Sequence, residues 1–146
     1  VGMAIVSNVG GASGPLYGTA FMKASMLGKG KTEITLLDYR DILQASIDGV
    51  KMRGKGEEGD KTMLDALIPA YNELCKGIEN NTSILETLQN SVVAAKSGVD
   101  YTKLIVAKKG RASYLGDRSI GHQDPGATSS SMILEVIFET VKELRE

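Results

Sequence analysis

Two stretches of this chain set glycine-opened backbone against the start of a helix, an arrangement that receives anions. In Gly10-Gly11-Ala12-Ser13-Gly14-Pro15-Leu16-Tyr17-Gly18 one apolar run ends and another begins. Glycine removes the side chains that keep a bulky anion away from the amides. Ser13 is placed to cap the second run, and Pro15 fits a first turn, where no backbone donor is needed. The free N–H groups of such a turn, at the positive end of the helix dipole, bind phosphate or carboxylate. The second stretch, Gly110–Gly126, runs into Asp124-Pro125, a capping carboxylate followed by proline at the first helical position. It also carries Arg111 and Arg118, planar donors suited to phosphate or to stacking on a ring. A third glycine-containing turn, Gly54–Gly59, precedes Met63. The soft side chain of Met63 either packs on an adenine face or fills the core.

Other chemistries lack residues. His122 is the only histidine and Cys75 the only cysteine. A two-histidine metal site and a zinc ribbon are therefore excluded. A phosphoryl-accepting or basic His122 is chemically open, but a lone histidine in a polar loop is ordinarily a surface hydrogen-bonding residue. Asp60, Asp117 and Asp124 have capping or ion-pair roles and form no tight magnesium cluster. No catalytic residue and no metal ligand is assigned. Neither the P-loop nor the Rossmann fingerprint is present, so a nucleotide would bind by another scheme.

The bulk properties agree with a local anion site in an ordinary globular chain. The 146 residues suffice for one domain with a core. A net charge of −1 argues against general nucleic-acid binding. A single cysteine fits a reducing cytosol. No apolar run approaches the roughly 20 residues of a membrane span, and no signal peptide is visible. The chain opens at Val1 inside an apolar stretch without an initiator Met, and reads as a fragment or a chain whose beginning is missing.

The elements that position these residues read as helices. Val1–Val9 looks like the tail of a longer helix. Leu16, Tyr17, Ala20, Phe21, Ala24 and Leu27 have helical spacing, stopped by Gly28-Lys29-Gly30. A helix is expected from about Thr35 to Met52, burying Leu36, Leu37, Leu43, Ile47 and Val50, with Thr35 and Asp38 as a capping pair. Arg53–Lys61 reads as a solvated connector. Asp60 or Thr62 then caps a helix carrying Met63, Leu64, Leu67, Tyr71 and Leu74, kinked at Pro69 and ended by Gly77 and Asn80-Asn81. Ser83 and Glu86 form a capping box for the next helix. Gly98 interrupts that pattern, and Tyr101, Leu104, Ile105 and Ala107 continue it to Lys109, as one kinked helix or as two. The residues Gly110–Gln123 show no period. The last helix carries Ala127, Met132, Ile133, Val136, Ile137, Val141 and Leu144. Nothing alternates at period two, so the expected fold is all-α: antiparallel helices in one domain, residues 1–146.

Three segments carry a family resemblance: GGASGPLYGTAF (Gly10–Phe21), RGKGEEGDKTMLDAL (Arg53–Leu67) and GRASYLGDRSIGHQDPGATSS (Gly110–Ser130). They resemble the ADP-binding L subunits of dihydroxyacetone kinase (DhaL), and the first is shared more loosely with other DAK2-type domains. The resemblance implies an antiparallel eight-helix barrel, here without its first helices, with a nucleotide at one rim. It implies a resident ADP that a phosphohistidine protein of the phosphotransferase system converts to ATP. The phosphoryl group then passes to dihydroxyacetone held on the K subunit, in the cytoplasm. By the same resemblance Ala12 and Ser13 meet the phosphates, Gly54 and Met63 line the adenine end, and Arg111 reaches the nucleotide. Asp124, Pro125 and Gly126 close the pocket. The family's magnesium ligands lie on aspartates of a GDGDHG-like motif upstream of the first segment. No such motif occurs in these residues, so the chain by itself is expected to be inactive. Two other readings stay open: the C-terminal ATP-binding domain of a fused ATP-dependent kinase, and a regulatory module contacting a transcription factor. A fatty-acid kinase of the wider DAK2 group is more distant.

Overall fold

A computed structural model describes all 146 residues. The chain is all-α, as its periodicity predicts. Its six α-helices are α1 (Gly2–Asn8), α2 (Ser13–Gly28), α3 (Leu36–Gly54), α4 (Leu64–Glu79), α5 (Ile84–Thr102) and α6 (Pro125–Glu143). A 3-10 segment, Arg111–Ser119, precedes α6. No helix is long and apolar enough to cross a membrane. The chain divides into two compact units, Val1–Gly56 and Glu57–Glu146.

In the first unit α1, α2 and α3 run antiparallel in succession. A Cβ on Gly18 would strike Val6, and one on Gly14 would strike the Val9 carbonyl, so these glycines let α1 and α2 touch backbone to backbone. Helix α3 begins on a true capping box. The Thr35 hydroxyl accepts from the Asp38 amide (3.1 Å), and the Asp38 carboxylate accepts from the Thr35 amide (2.9 Å). Such a box is worth about 1 kcal/mol. Lys31 lies 2.8 Å from Asp38, and its hydrogen bond, with those from Thr35, holds that carboxyl well below the usual range. Leu43, Ile47 and Val50 are buried as expected, whereas Leu37 is exposed. The helix runs two residues past Met52 and ends on Gly54, with Lys55 in the left-handed region (φ 50°).

In the second unit α4 and α5 pack antiparallel, and α6 lies antiparallel to α5. Ser91 donates to the Ala70 carbonyl (2.8 Å), and Lys96 meets Glu135 (2.5 Å). Two glycines set the α4–α5 contact. A Cβ on Gly77 would lie 2.6 Å from the Thr87 hydroxyl, and one on Gly98 would overlap the Asp65 carbonyl. Gly77 therefore does not end α4, and Gly98 does not interrupt α5, which is one helix. Leu74 and Leu64 are fully buried, each contributing about 2 kcal/mol by the area it withdraws from water. Helix α5 stops at Thr102, so Leu104, Ile105 and Ala107 do not extend it as their spacing suggests. Helix α6 buries Ala127, Ser130, Ser131 and Leu134, while Met132, Ile133, Val136 and Leu144 stay exposed. Small side chains on the inner face let α6 approach closely.

Candidate functional site

The second unit gathers three element ends in one place: the starts of α4 and α6 and the end of α5. The Asp124 amide donates to the Thr102 hydroxyl (2.9 Å), which ties α6 to α5. Asp124 caps α6 as its sequence predicts, its carboxylate accepting from the Ala127 amide (2.7 Å), with Pro125 in the first turn. The amides there are thus already answered by a carboxylate of the chain itself. Gly126 keeps this corner tight, since a Cβ on it would lie 3.0 Å from the Asp124 carboxylate and 3.4 Å from the Met63 backbone nitrogen and Cβ. Met63 is only 4% exposed, so its side chain lies beneath the start of α6. Met63, Asp124, Pro125 and Gly126 are therefore brought together.

The loop entering α4 is solvent-exposed at Lys55, Glu57 and Glu58, as expected, but its last residues turn inward. Asp65 is 1% exposed and turns back on that loop. Its carboxylate accepts from the amides of Gly59 (2.6 Å) and Thr62 (2.8 Å). Charge-assisted bonds of this kind are about twice as strong as neutral ones. The Thr62 hydroxyl accepts from the Leu64 amide (3.2 Å), so Thr62 does the capping although Met63 is the flanking residue. Asp60 does not cap α4; its carboxylate accepts from the Glu57 amide (2.9 Å) and lies 3.6 Å from the Lys108 ammonium. Lys61, 3% exposed, holds a left-handed φ of 61°. A side chain at that angle costs on the order of 1 kcal/mol. The Lys61 ammonium donates to the carbonyls of Ser119 and Ile105.

Those two carbonyls belong to one loop, residues 103–121, that carries Arg111. The Gly121 amide donates to the Lys103 carbonyl (2.7 Å), joining the loop's ends. Inside it the Ser119 hydroxyl accepts from the Ala107 amide (2.9 Å) and donates to the Gly116 carbonyl (2.7 Å). Arg111 follows Gly110, is exposed, and forms no ion pair. Its guanidinium is thus available to an incoming anion. Burial pushes the Asp124 carboxyl above the usual carboxylate range; Asp65 adds to the shift, while the Ala127 amide and Lys61 oppose it.

The remaining expected contacts lie in the first unit. Ala12 flanks α2 in helical conformation, and Ser13 is its first residue; no side chain caps the helix. Ser13 is thus not the cap its position suggests, because the turn Gly10–Ala12 curls into the helix one residue early. Pro15 falls in the first turn, as expected. Gly54 ends α3 against α2, where a Cβ would come within 2.9 Å of Leu16. The Leu16 amide bonds to the Ala12 carbonyl (3.3 Å), so Ala12, Ser13 and Gly54 share one end of the first unit.

A concavity of about 590 Å³ lies elsewhere, in the groove between α4 and α5 beside Glu58, Asp65, Glu73, Val93 and Tyr101. None of the eight expected contact residues lines it, and its carboxylates would repel a phosphate. The residues that sequence reasoning missed are Lys61, Asp65, Thr102 and Ser119. Only Asp65 had a visible signal, the Thr-x-x-Asp spacing from Thr62 that marks a helix start. Burial of Lys61 depends on a loop that arrives more than 40 residues later in the chain.

A family model described as the DAK2 domain matches residues 1–139. The chain is 44% identical over 142 residues to the "PEP-dependent dihydroxyacetone kinase, ADP-binding subunit DhaL" of Escherichia coli, covering 97% of this chain and 68% of that one. It is 42% identical to the "PTS-dependent dihydroxyacetone kinase, ADP-binding subunit DhaL" of Lactococcus lactis, covering 97% and 65%. The chain thus spans about two thirds of the length of these curated relatives. Among solved structures it resembles the dihydroxyacetone kinase of C. freundii, with a TM-score of 0.67 and 28% identity. That match covers 95% of this chain and 22% of the other.

Proposed function

This chain belongs to the DAK2 domain family, in its DhaL group, and on that premise we propose that it is the nucleotide-binding part of a phosphoenolpyruvate-dependent dihydroxyacetone kinase. The observation that carries the proposal is the corner where Met63 lies under Gly126 and Asp124, with the unpaired Arg111 on a loop anchored there. The ligand is ADP. Bound to the protein, it relays a phosphoryl group from a phosphohistidine protein of the phosphotransferase system to dihydroxyacetone on the K subunit, giving dihydroxyacetone phosphate. The chain's own residues bind and orient. The uncapped first turn of α2, at Ala12 and Ser13, offers amides to the phosphates. Arg111 offsets their charge. Gly54 and Met63 shape the adenine end, Met63 as buried support. Asp124 and Pro125 hold the start of α6 rigid, and Gly126 keeps it close to Met63. The protein works in the cytoplasm, beside these partners.

Phosphoryl transfer also calls for a divalent cation to neutralise charge. No three His, Cys, Asp or Glu side chains of this chain gather closely enough to hold one. The resemblance places the magnesium ligands on a GDGDHG-like motif that does not occur in these residues.

A second reading has one observation in its favour: the C. freundii kinase holds a matching region as 22% of a longer chain. In that reading the chain is the ATP-binding domain of a fused, ATP-dependent kinase. Denaturing the purified full-length protein and identifying the released nucleotide separates the two. Stoichiometric ADP supports the resident cofactor. An empty site with ATP turnover supports the fused kinase, and an empty site without turnover sinks both.

A further inference from the structure

Lysine is a costly residue to bury, and a methionine would fill similar space without an ammonium to satisfy. Lys61 nevertheless sits 3% exposed, on backbone held in the left-handed region. It forms no close ion pair; its partners are two backbone carbonyls, those of Ile105 and Ser119. The carbonyls lie on opposite limbs of the loop that Lys103 and Gly121 close. Lys61 thus ties the loop from inside to the residue two positions before Met63. A second tie runs alongside, from the Lys108 amide to the Asp60 carbonyl (3.1 Å).

We infer that Lys61 is a positioning residue for the nucleotide site: its buried ammonium fixes the loop 103–121, and with it Arg111, against the starts of α4 and α6. The inference rests on the nucleotide-binding reading above and adds to it a residue that touches no nucleotide. An aliphatic side chain would preserve the packing and lose the registration. Arg111 would then sample many positions, and part of its interaction with phosphate would be spent on ordering the loop.

A double-mutant cycle on the full-length protein tests this. ADP affinity is measured by titration calorimetry for the unaltered protein, Lys61→Met, Arg111→Ala and the double variant. Lys61→Met is expected to weaken binding about tenfold in the unaltered background and less than about twofold beside Arg111→Ala, since a misplaced arginine and a missing one are the same loss. An equal factor in both backgrounds overturns the inference, because Lys61 then acts independently of Arg111. An Arg111→Ala protein with unchanged affinity overturns it too. Absence of ADP binding by the unaltered protein is a different failure, that of the nucleotide-binding reading itself. If circular dichroism shows that Lys61→Met does not fold, Ser119→Ala takes its place. It frees the Ala107 amide and Gly116 carbonyl of the same loop, and the same coupling is expected.

Discussion

Gly98→Ala tests the packing on which the second unit depends. A Cβ at this position would overlap the Asp65 carbonyl oxygen and lie 2.8 Å from the carbonyl carbon and 3.1 Å from the Ala66 Cα. All three atoms are backbone, so no rotamer change relieves the clash. Helix α5 must instead move away from α4 by on the order of 1 Å, and overpacking of this kind costs about 1–3 kcal/mol. Alanine recovers about 1 kcal/mol of helix propensity, which leaves a net loss of about 2 kcal/mol at the upper overpacking cost. The backbone clash favours the upper end, a fall in Tm of about 4–8 °C for a chain of this length. Thermal melts followed by far-UV circular dichroism measure it, with Gly28→Ala as the control, since a Cβ there meets nothing within 4 Å. A Gly98→Ala protein as stable as the unaltered one would refute the close α4–α5 contact. The displaced Asp65 backbone would also loosen the amides of Gly59 and Thr62, so their hydrogen exchange should quicken in the same variant.

Arg111→Ala should weaken ADP retention about tenfold or more, the usual worth of a charged hydrogen bond, with helical content unchanged; nucleotide release after gel filtration reads it. Asp124→Asn keeps an acceptor for the Ala127 amide and removes a carboxyl whose folded pKa is raised, chiefly by burial. The ionised group penalises the fold in full above that folded pKa, and the penalty fades as pH falls toward the ordinary carboxylate value. The unaltered protein should therefore gain stability relative to Asp124→Asn as pH drops from about 7 to about 4, which urea melts across that range would show or deny. Thr35→Ala should cost about 1 kcal/mol through the lost Asp38 amide bond, visible as a lower urea midpoint at unchanged slope.

Local chemistry was the legible part of this chain. Thr35 with Asp38, and Asp124 with Pro125, announce helix starts through residues three apart or adjacent, and both stand in the structure. What sequence could not convey is which glycine faces a neighbour. Gly77 and Gly98 carry the same local meaning as the terminator Gly28, yet they serve contacts with Thr87 and Asp65. Which face of α6 turns inward is hidden in the sequence for a related reason. Met132 and Val136 have the apolar chemistry of a core, but a helix that packs tightly places Ala127, Ser130 and Ser131 inward instead. At the candidate site the glycine loops were readable and the lysine that links them was not, because Lys61 owes its burial to carbonyls contributed by a distant part of the chain.

The hydrogen bond between Gly121 and Lys103 gives the Arg111 loop a neck. Once a neck is shut, the length of what hangs beyond it matters little to the free energy of closure, about 0.6 kcal/mol for each doubling. The tip, with its exposed Tyr114 and Leu115, is consequently free to be rebuilt while α5 and α6 stay in register. A single scaffold can in this way carry tips of different length and sequence while the helices keep their places.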